Sequence, residues 1–335
     1  ISESLFSLGN GQMGHRGMFE ESYAGDSLQG SYIAGVYYPD KTKVGWWKNG
    51  YPEYFAKVLN ATNWIGIGLA VEGEAVDLHT GEVSDFERIL DMQKGTLTRR
   101  LRIRLDSGKE LRVESLRFCS MDQSEVGAIR YAVTPLNFSG TLEITPFLDG
   151  DVHNEDANWE EQFWNEIHQE ANYNEGYVLI ETRKTLFHLA TGMQFLCQLN
   201  GEEVEIKPVP IVRSRYAGAL LEQPVEEGQT LTLEKICTNL SSRNHGKDVL
   251  LENCKKLTRE AFATGFDSLL HRHEQAWARI WEKGDIQVQG DVSAQQGIRF
   301  NIFHLNQTYT GEDERLNIGP KGFTGEKYGG STYWD

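Results

Sequence analysis

Apolar and polar residues alternate along the chain from about residue 60 to 240. The clearest run sets Leu97, Leu101, Ile103 and Leu105 on one side, against Thr98, Arg100, Arg102 and Arg104 on the other. A period of two predicts a strand with one buried face. The turn residues 106–109 follow, and residues 111–113 are expected to return as the partner strand. The apolar positions then shift phase to Leu116 and Phe118, which predicts a β-bulge.

Similar runs recur between turns that are rich in Gly, Asn and Asp. They lie at Val126–Val133, Leu142–Leu148, Val178–Thr182, Met193–Leu199 and Leu231–Cys237. Many short strands of this kind predict a mainly β protein built as a large antiparallel sandwich. Residues 1–55 are rich in glycine and aromatic residues but lack a clear period, so we expect turns and short strands with close backbone packing there.

The periodicity changes near residue 247. Residues 248–281 repeat apolar positions at helical spacing, and Gly284 is expected to end this helical stretch. Residues 285–291 resemble a short strand. Residues 293–309 predict another helix, with one face formed by Ile298, Ile302, Leu305 and Tyr309.

Composition excludes several classes of function. The net charge of −16 argues against a nucleic-acid partner, because phosphate backbones are bound by clustered Lys and Arg. No apolar run approaches the roughly 20 residues of a membrane helix, so we expect a soluble chain with no membrane partner. The four cysteines form no CxxC pair, which makes a structural zinc site improbable and favours buried thiols in a reducing compartment.

The densest glycine stretch is residues 319–330. It fails the P-loop pattern because Gly325 is followed by Glu326. It is either a loop that lets the backbone approach a ligand or an ordinary connection between helices. Tyr333-Trp334-Asp335 follows, and an indole with a carboxylate suits a sugar. The alternative is a buried Trp beside a helix-capping Asp.

Three further groups have plainer explanations. The acidic run 149–156 lacks the register of an EF-hand, so we interpret it as a solvated loop. His271 and His273 lie two apart on a predicted helix and diverge, so we expect no metal between them. Trp159, Phe163 and Trp164 could bind a sugar, but core or interface packing is the simpler interpretation.

Several longer motifs resemble glycoside hydrolase family 65. The run Leu8-Gly9-Asn10-Gly11 with Gly14, Arg16, Gly17 and Phe19-Glu20-Glu21 resembles the opening signature of its disaccharide phosphorylases. Residues 27–30, 38–42 and 44–52 resemble its maltose-cleaving branch. Residues 295–301 resemble the first helix of the family's catalytic domain, and residues 316–330 with 332–335 resemble the loop into its glucose site.

The resemblance implies an architecture that agrees with the periodicity. Residues 1–245 would form a galactose-mutarotase-like super-sandwich, residues 246–290 a helical linker, and residues 291–335 the start of an (α/α)6 barrel. It also implies a homodimer, and with the reducing compartment above it indicates a cytoplasmic enzyme.

The implied reaction is phosphorolysis of maltose to β-D-glucose 1-phosphate and D-glucose, with inversion. Inorganic phosphate would be a co-substrate, and no organic cofactor or metal is implied. Phosphate is already an anionic nucleophile, so one glutamic acid would suffice where an inverting hydrolase needs a second carboxylate. That acid is expected beyond residue 335, so no catalytic residue is assigned. Trp334 and Asp335 would belong to the donor-glucose subsite, with Tyr328 beside it.

Both ends of the sequence resemble cuts, since it begins at Ile1 and stops at Asp335. The true N-terminus and any signal peptide are therefore open, and we expect the fragment alone to be inactive. Within the family, trehalose, kojibiose and nigerose phosphorylases are alternatives, as is a hydrolase. A noncatalytic carbohydrate-binding sandwich is the alternative from another class.

Overall fold

The computed structural model describes residues 2–43, 53–157, 159–205, 207–319 and 321–326. Its first strands are β1 (Leu8–Gly9), β2 (Met13–His15), β3 (Ser31–Ile33), β4 (Tyr37–Lys41), β5 (Tyr54–Val58), β6 (Ile67–Val71), β7 (Glu74–Ala75), β8 (Glu82–Asp91), β9 (Thr96–Arg104) and β10 (Glu110–Cys119). They are followed by β11 (Val126–Pro135), β12 (Gly140–Asp149), β13 (Trp164–Asn172), β14 (Glu175–Thr182), β15 (His188–Leu199), β16 (Glu202–Glu203), β17 (Val209–Arg213), β18 (Tyr216–Val225) and β19 (Leu231–Ser241). The helices are α1 (Ser2–Leu5), α2 (Leu250–Thr264), α3 (Phe266–Gly284) and α4 (Val292–Thr308).

Two antiparallel sheets form the main body of the described chain. The larger has the order β13-β14-β15-β19-β11-β10-β9-β8, with β16 paired to β15, and the smaller has the order β17-β18-β12-β6-β7. Apolar residues from both sheets, such as Leu101 and Val113 of the larger and Ile67 and Ile144 of the smaller, share one core cluster. The predicted antiparallel sandwich, with helices after it, is therefore confirmed.

The helices α2 and α3 cover the outer face of the large sheet. Phe118 of β10 packs with Phe266 and Leu269 of α3, while a separate cluster places Leu250 and Cys254 of α2 against β14, β15 and β19. Gly265, at φ 83°, separates the two helices. The large sheet is thus buried on both faces over these strands. None of the helices in the described ranges is both long and apolar enough to span a membrane.

His273 of α3 connects this helix to the sheet. Its Nε2 lies 3.0 Å from the carbonyl of Gly95, and its Nδ1 accepts from the amide of Met121 at 3.1 Å. Burial lowers the pKa of His273 to about 4, so the ring is neutral at pH 7. His271 is exposed and contacts Gln275 instead, so the two histidines diverge as expected.

The predicted β-bulge near Leu116 is wrong. Strand β10 pairs with both β9 and β11 without a register shift from residue 111 to residue 117. The inward positions of this part are taken by Ser115 and Arg117, which are buried, while Leu116 and Phe118 face α3 on the outer side. The apparent change of phase is a change in which face carries apolar side chains.

Two helical-region predictions also fail in detail. Residues 285–291 form no strand, and the side chain of Gln295 hydrogen-bonds the amide of Val288 and the carbonyl of Ile286 instead. Helix α4 lies close to its predicted bounds, but it buries Phe303 and Gln307 rather than the predicted face. Leu305 is 59 % exposed.

A buried ion cluster joins the N-terminal segment to the large sheet. Arg117 Nη1 and Arg99 Nη2 each lie 2.7 Å from the carboxylate of Glu20, and Arg99 Nη2 is also 2.7 Å from Glu21. Tyr131 donates its hydroxyl to Glu21 at 2.5 Å. Burial alone would raise the pKa of Glu20, but the two guanidinium groups outweigh it and lower that pKa to about 2. Two carboxylates and two guanidinium groups leave the cluster neutral.

We expect Arg117→Met to lower the free energy of unfolding by about 3–5 kcal/mol, because it leaves buried carboxylate charge under-compensated. Urea denaturation at pH 7 measures this. Arg102→Met is the matched control, since the Arg102 pair with Asp85 is half exposed and should matter little. Adding Glu20→Gln to Arg117→Met should recover part of the loss. Equal, small effects for Arg117 and Arg102 would contradict the account.

Candidate functional site

The N-terminal signature forms a tight β1–β2 hairpin. Asn10 Oδ1 accepts from the amides of Gln12 and Met13 at 3.1 and 2.9 Å, and Gly11 has φ 82°. The Asn10 amide group also donates to the carbonyls of Ser120 and Ser124 at 2.7 and 2.9 Å. One side chain therefore closes the hairpin and attaches it to the β10–β11 connection of the large sheet.

This hairpin forms a flat surface for the ring of Phe323. Phe323 belongs to the predicted glycine-rich loop and is 5 % exposed. A Cβ atom on Gly9 or Gly14 would collide with that ring, so only glycine permits the contact. Two motifs that lie more than 300 residues apart in sequence are thus brought together, and the loop approaches protein backbone closely.

Arg16 attaches the same loop by hydrogen bonds. Its Nη1 donates to the carbonyl of Thr324, which also accepts from Ser4 Oγ at 3.2 Å. Its Nε donates to the carbonyl of Leu28 at 2.8 Å, and its Nη2 lies 3.3 Å from Glu3.

Glu3 also accepts from Ser27 Oγ at 2.6 Å and from the amide of Leu28 at 3.0 Å. The 27–30 motif therefore shares one polar cluster with Arg16 and residues 321–326.

The loop ends against the sandwich at Glu326, which is 2 % exposed. The amide of Asp156 donates to Glu326 Oε2 at 3.2 Å, and Lys57 Nζ lies 3.1 Å from Asp156 Oδ2. The pKa of Glu326 is raised to about 8, mainly by burial and to a smaller extent by the neighbouring Asp156 and Glu155. Sequence analysis used Glu326 only to exclude a P-loop and did not identify this contact.

A polar cavity of about 650 Å³ lies beside the hairpin. It is bounded by Asn10, Gln12, Ser124 and Asn244 together with residues 309–316. In the segment, Arg315 hydrogen-bonds Asp313 and the side chain of Asn244. Groups of hydroxyls and amides of this kind suit a polar ligand more than an apolar one.

The three predicted sugar-site residues, Tyr328, Trp334 and Asp335, lie outside the described residues, as do residues 44–52 of the signature. The structure therefore places the loop that leads toward them, but not the residues themselves.

The other candidate groups are resolved by burial. Phe163 and Trp164 are core residues, whereas Trp159 is 56 % exposed.

The acidic run 149–156 is only partly exposed to solvent, so its interpretation as a solvated loop is wrong in part. Asn154 is buried, accepts from the amide of Asn60 at 2.9 Å and donates to the carbonyl of Val58 at 2.7 Å. Within the described ranges, no group of three or more His, Cys, Asp or Glu side chains is arranged to hold a metal ion.

Comparison with known proteins agrees with these motifs. The model of the glycosyl hydrolase family 65 N-terminal domain matches residues 1–280, and that of the family's central catalytic domain matches residues 299–335. The chain belongs to glycosyl hydrolase family 65. The glycine-rich loop thus falls in the part matched by the catalytic-domain model, and the hairpin that supports it falls in the N-terminal domain.

Several curated family 65 proteins are similar to the chain. A maltose phosphorylase of Bacillus subtilis is 44 % identical over 335 residues, which is all of this chain and 44 % of the relative. A kojibiose phosphorylase and an α,α-trehalose phosphorylase of Thermoanaerobacter brockii are each 31 % identical and cover 99 % and 100 % of the chain. The chain spans 42 % and 44 % of those two relatives.

A solved structure described as a putative kojibiose phosphorylase from the human microbiome has the same fold. It aligns with a TM-score of 0.88 and 25 % identity over all of this chain and 43 % of that chain. The family assignment and the sandwich are therefore supported by sequence and by structure.

We expect Gly9→Ala to lower the free energy of unfolding by about 1–3 kcal/mol, because the added methyl overpacks the Phe323 contact. In a Phe323→Ala background most of that loss should disappear, since the colliding ring atoms are gone. Urea denaturation of the four proteins measures the coupling.

Gly297→Ala is the control. Gly297 lies within helix α4, and a Cβ atom added there meets no other atom within 4 Å. It should be neutral or slightly stabilising. Additive effects of Gly9→Ala and Phe323→Ala would show that the two residues do not depend on each other.

Proposed function

We propose that this chain belongs to an inverting disaccharide phosphorylase that converts maltose and inorganic phosphate to β-D-glucose 1-phosphate and D-glucose. The chain covers less than half the length of its curated relatives, so the activity is proposed for the protein that contains it. The 44 % identity to a maltose phosphorylase, against 31 % for kojibiose and trehalose phosphorylases, favours maltose.

The observation that carries the proposal is the support of residues 321–326 by the N-terminal signature. Phe323 packs on Gly9 and Gly14, and Arg16 holds the carbonyl of Thr324. Fixing this loop fixes the starting point of the segment that holds Tyr328, Trp334 and Asp335. A loop held rigidly from two sides suits a subsite that must orient a sugar before the chemical step.

The proposed chemistry needs one acid and one bound anion. A glutamic acid beyond residue 335 would protonate the leaving oxygen, while phosphate attacks the anomeric carbon from the opposite face. Trp334 would pack on the apolar face of the donor glucose, and Asp335 would accept hydrogen bonds from its hydroxyls. As the family resemblance implies, the proposed reaction uses no metal and no organic cofactor.

We propose a homodimer and a cytoplasmic location for the same enzyme. In support of a reducing compartment, Cys119, Cys197, Cys237 and Cys254 are buried free thiols, and burial raises the pKa of each. Molar mass in solution tests the dimer directly.

The substrate is tested by incubating the complete protein with phosphate and, separately, maltose, kojibiose, trehalose or nigerose. We expect β-D-glucose 1-phosphate chiefly from maltose, and no product from the 335-residue chain alone. Preferential turnover of another of these disaccharides would show that it, and not maltose, is the substrate. Glucose release without phosphate would indicate a hydrolase, and binding without turnover a carbohydrate-binding protein.

We expect Asp335→Ala in the complete protein to lower kcat/KM for phosphorolysis by on the order of 10²–10⁴. Two hydrogen bonds to sugar hydroxyls, each contributing about 1.5–3 kcal/mol, account for that range. Steady-state kinetics and thermal melting are measured together, with the exposed Glu227→Ala, away from the loop and the polar cavity, as the control. A lower melting temperature with unchanged kcat/KM would make Asp335 a structural cap.

A further inference from the structure

Glu326 makes a contact that an ordinary pair of ionised carboxylates would not make. It is buried at the end of the loop, where its Oε2 accepts from the Asp156 amide at 3.2 Å and the Asp156 carboxyl group lies beside it. Ionised carboxylates only accept hydrogen bonds, so two of them cannot bond to each other. Such a contact needs a proton on one carboxyl group.

Two buried oxygen atoms at this contact still need a donor. Glu326 Oε1 and Asp156 Oδ1 have no hydrogen-bond partner among the described residues. Leaving a buried acceptor without a donor is costly, and a proton on one of the carboxyl groups supplies a donor at this contact.

Among the residues that the structure describes, none of the charged groups near Glu326 is a cation paired with it. Asp156 and Glu155 approach from the 150–157 segment, and Lys57 of β5 is 3.1 Å from Asp156 and 3.7 Å from Asp40. Tyr32 of β3 is buried beside Glu326, and burial is the main reason that the pKa of its hydroxyl is raised. Arg16 lies near but binds Glu3 and the carbonyl of Thr324.

We propose that Glu326 is a positioning residue, held as a neutral carboxylic acid against Asp156, that fastens residues 321–326 to the sandwich. Its effect on a sugar subsite rests on the proposed function, because Tyr328 follows it by two residues. Loss of the proton places two negative charges together in a poorly hydrated space and pushes the loop away from Asp156. The loop is thus held more tightly at low pH than at high pH.

The sign of the pH dependence follows from proton binding. The pKa of Glu326 is about 8 in the folded chain and near 4.5 when unfolded, so between these values the folded state holds the extra proton. Stability from this group is therefore lost as pH rises, by up to about ten-fold in the unfolding equilibrium constant per pH unit.

The test compares urea unfolding of the wild-type chain, Glu326→Gln and Glu312→Gln from pH 5 to 8.5. Glutamine mimics the neutral acid, so Glu326→Gln should become progressively more stable than wild type as pH rises. Glu312 is exposed on the 309–316 segment, and its variant should follow the wild-type curve. Parallel curves for wild type and Glu326→Gln would overturn the proposal.

A second variant keeps the test decisive if Glu326→Gln folds poorly. Asp156→Asn removes the repelling charge and adds an amide donor, so it should also flatten the pH dependence. Trypsin cleavage after the exposed Lys321 reports the loop itself. At pH 8.5 both variants should be cut several-fold more slowly than wild type, and equal rates would contradict the proposed contact.

The complete protein separates this inference from the proposed function. If maltose phosphorolysis is found, Glu326→Gln should raise kcat/KM on the alkaline side of the pH profile relative to wild type. An unchanged profile would overturn the positioning role even if unfolding responds. Should no disaccharide be cleaved, the proposed function fails, while the unfolding curves still decide the state of Glu326.

Discussion

The buried pairing of Glu20 and Glu21 with Arg99 and Arg117 is the constraint on which the rest of the structure depends. Charges without compensation are costly inside a protein, so these four side chains must remain together once the sandwich closes. Arg117 also donates to the carbonyl of Met18 at 2.7 Å. The cluster thereby fixes the N-terminal segment against strands β9 and β10.

The position of that segment determines where residues 321–326 can lie. From Met18 the chain runs back through Arg16 to the β1–β2 hairpin, whose glycines receive Phe323. Arg16 donates a hydrogen bond to the carbonyl of Thr324, and the amide of Asp156 donates one to the Glu326 carboxyl group. The sandwich thus supports a loop that lies in the part of the chain matched by the catalytic-domain model.

Alternation of apolar residues was enough to predict the sandwich, because most strands bury one face. It failed where polar residues occupy the inward face. Arg99 and Arg117 point inward because they pair there with Glu20 and Glu21, which lie 78 to 97 residues earlier in the sequence. No local sequence pattern reveals partners at that separation. A contact with another element also decides which face of helix α4 is buried, since Phe303 stacks on Trp277 of α3.

The candidate site shows the same limit. The glycine-rich loop and the N-terminal signature were both recognised as motifs, but their contact through Gly9, Gly14 and Phe323 is visible only in three dimensions. Glu326 carried no signal in sequence, because its neighbour Asp156 comes from a run that resembled a solvated loop. Tyr328, Trp334 and Asp335 remain predictions from family resemblance.

Amide hydrogen exchange of residues 321–326 tests the central claim most directly. If the buried ion cluster positions the loop through the N-terminal segment, Glu20→Gln should speed exchange there by about ten-fold or more, corresponding to at least about 1.4 kcal/mol of lost local stability. Strands β14 and β15, which lie away from the cluster, are the internal reference, and Asp85→Asn is the control variant. Loop exchange that rises no more than exchange in β14 and β15 would contradict the account.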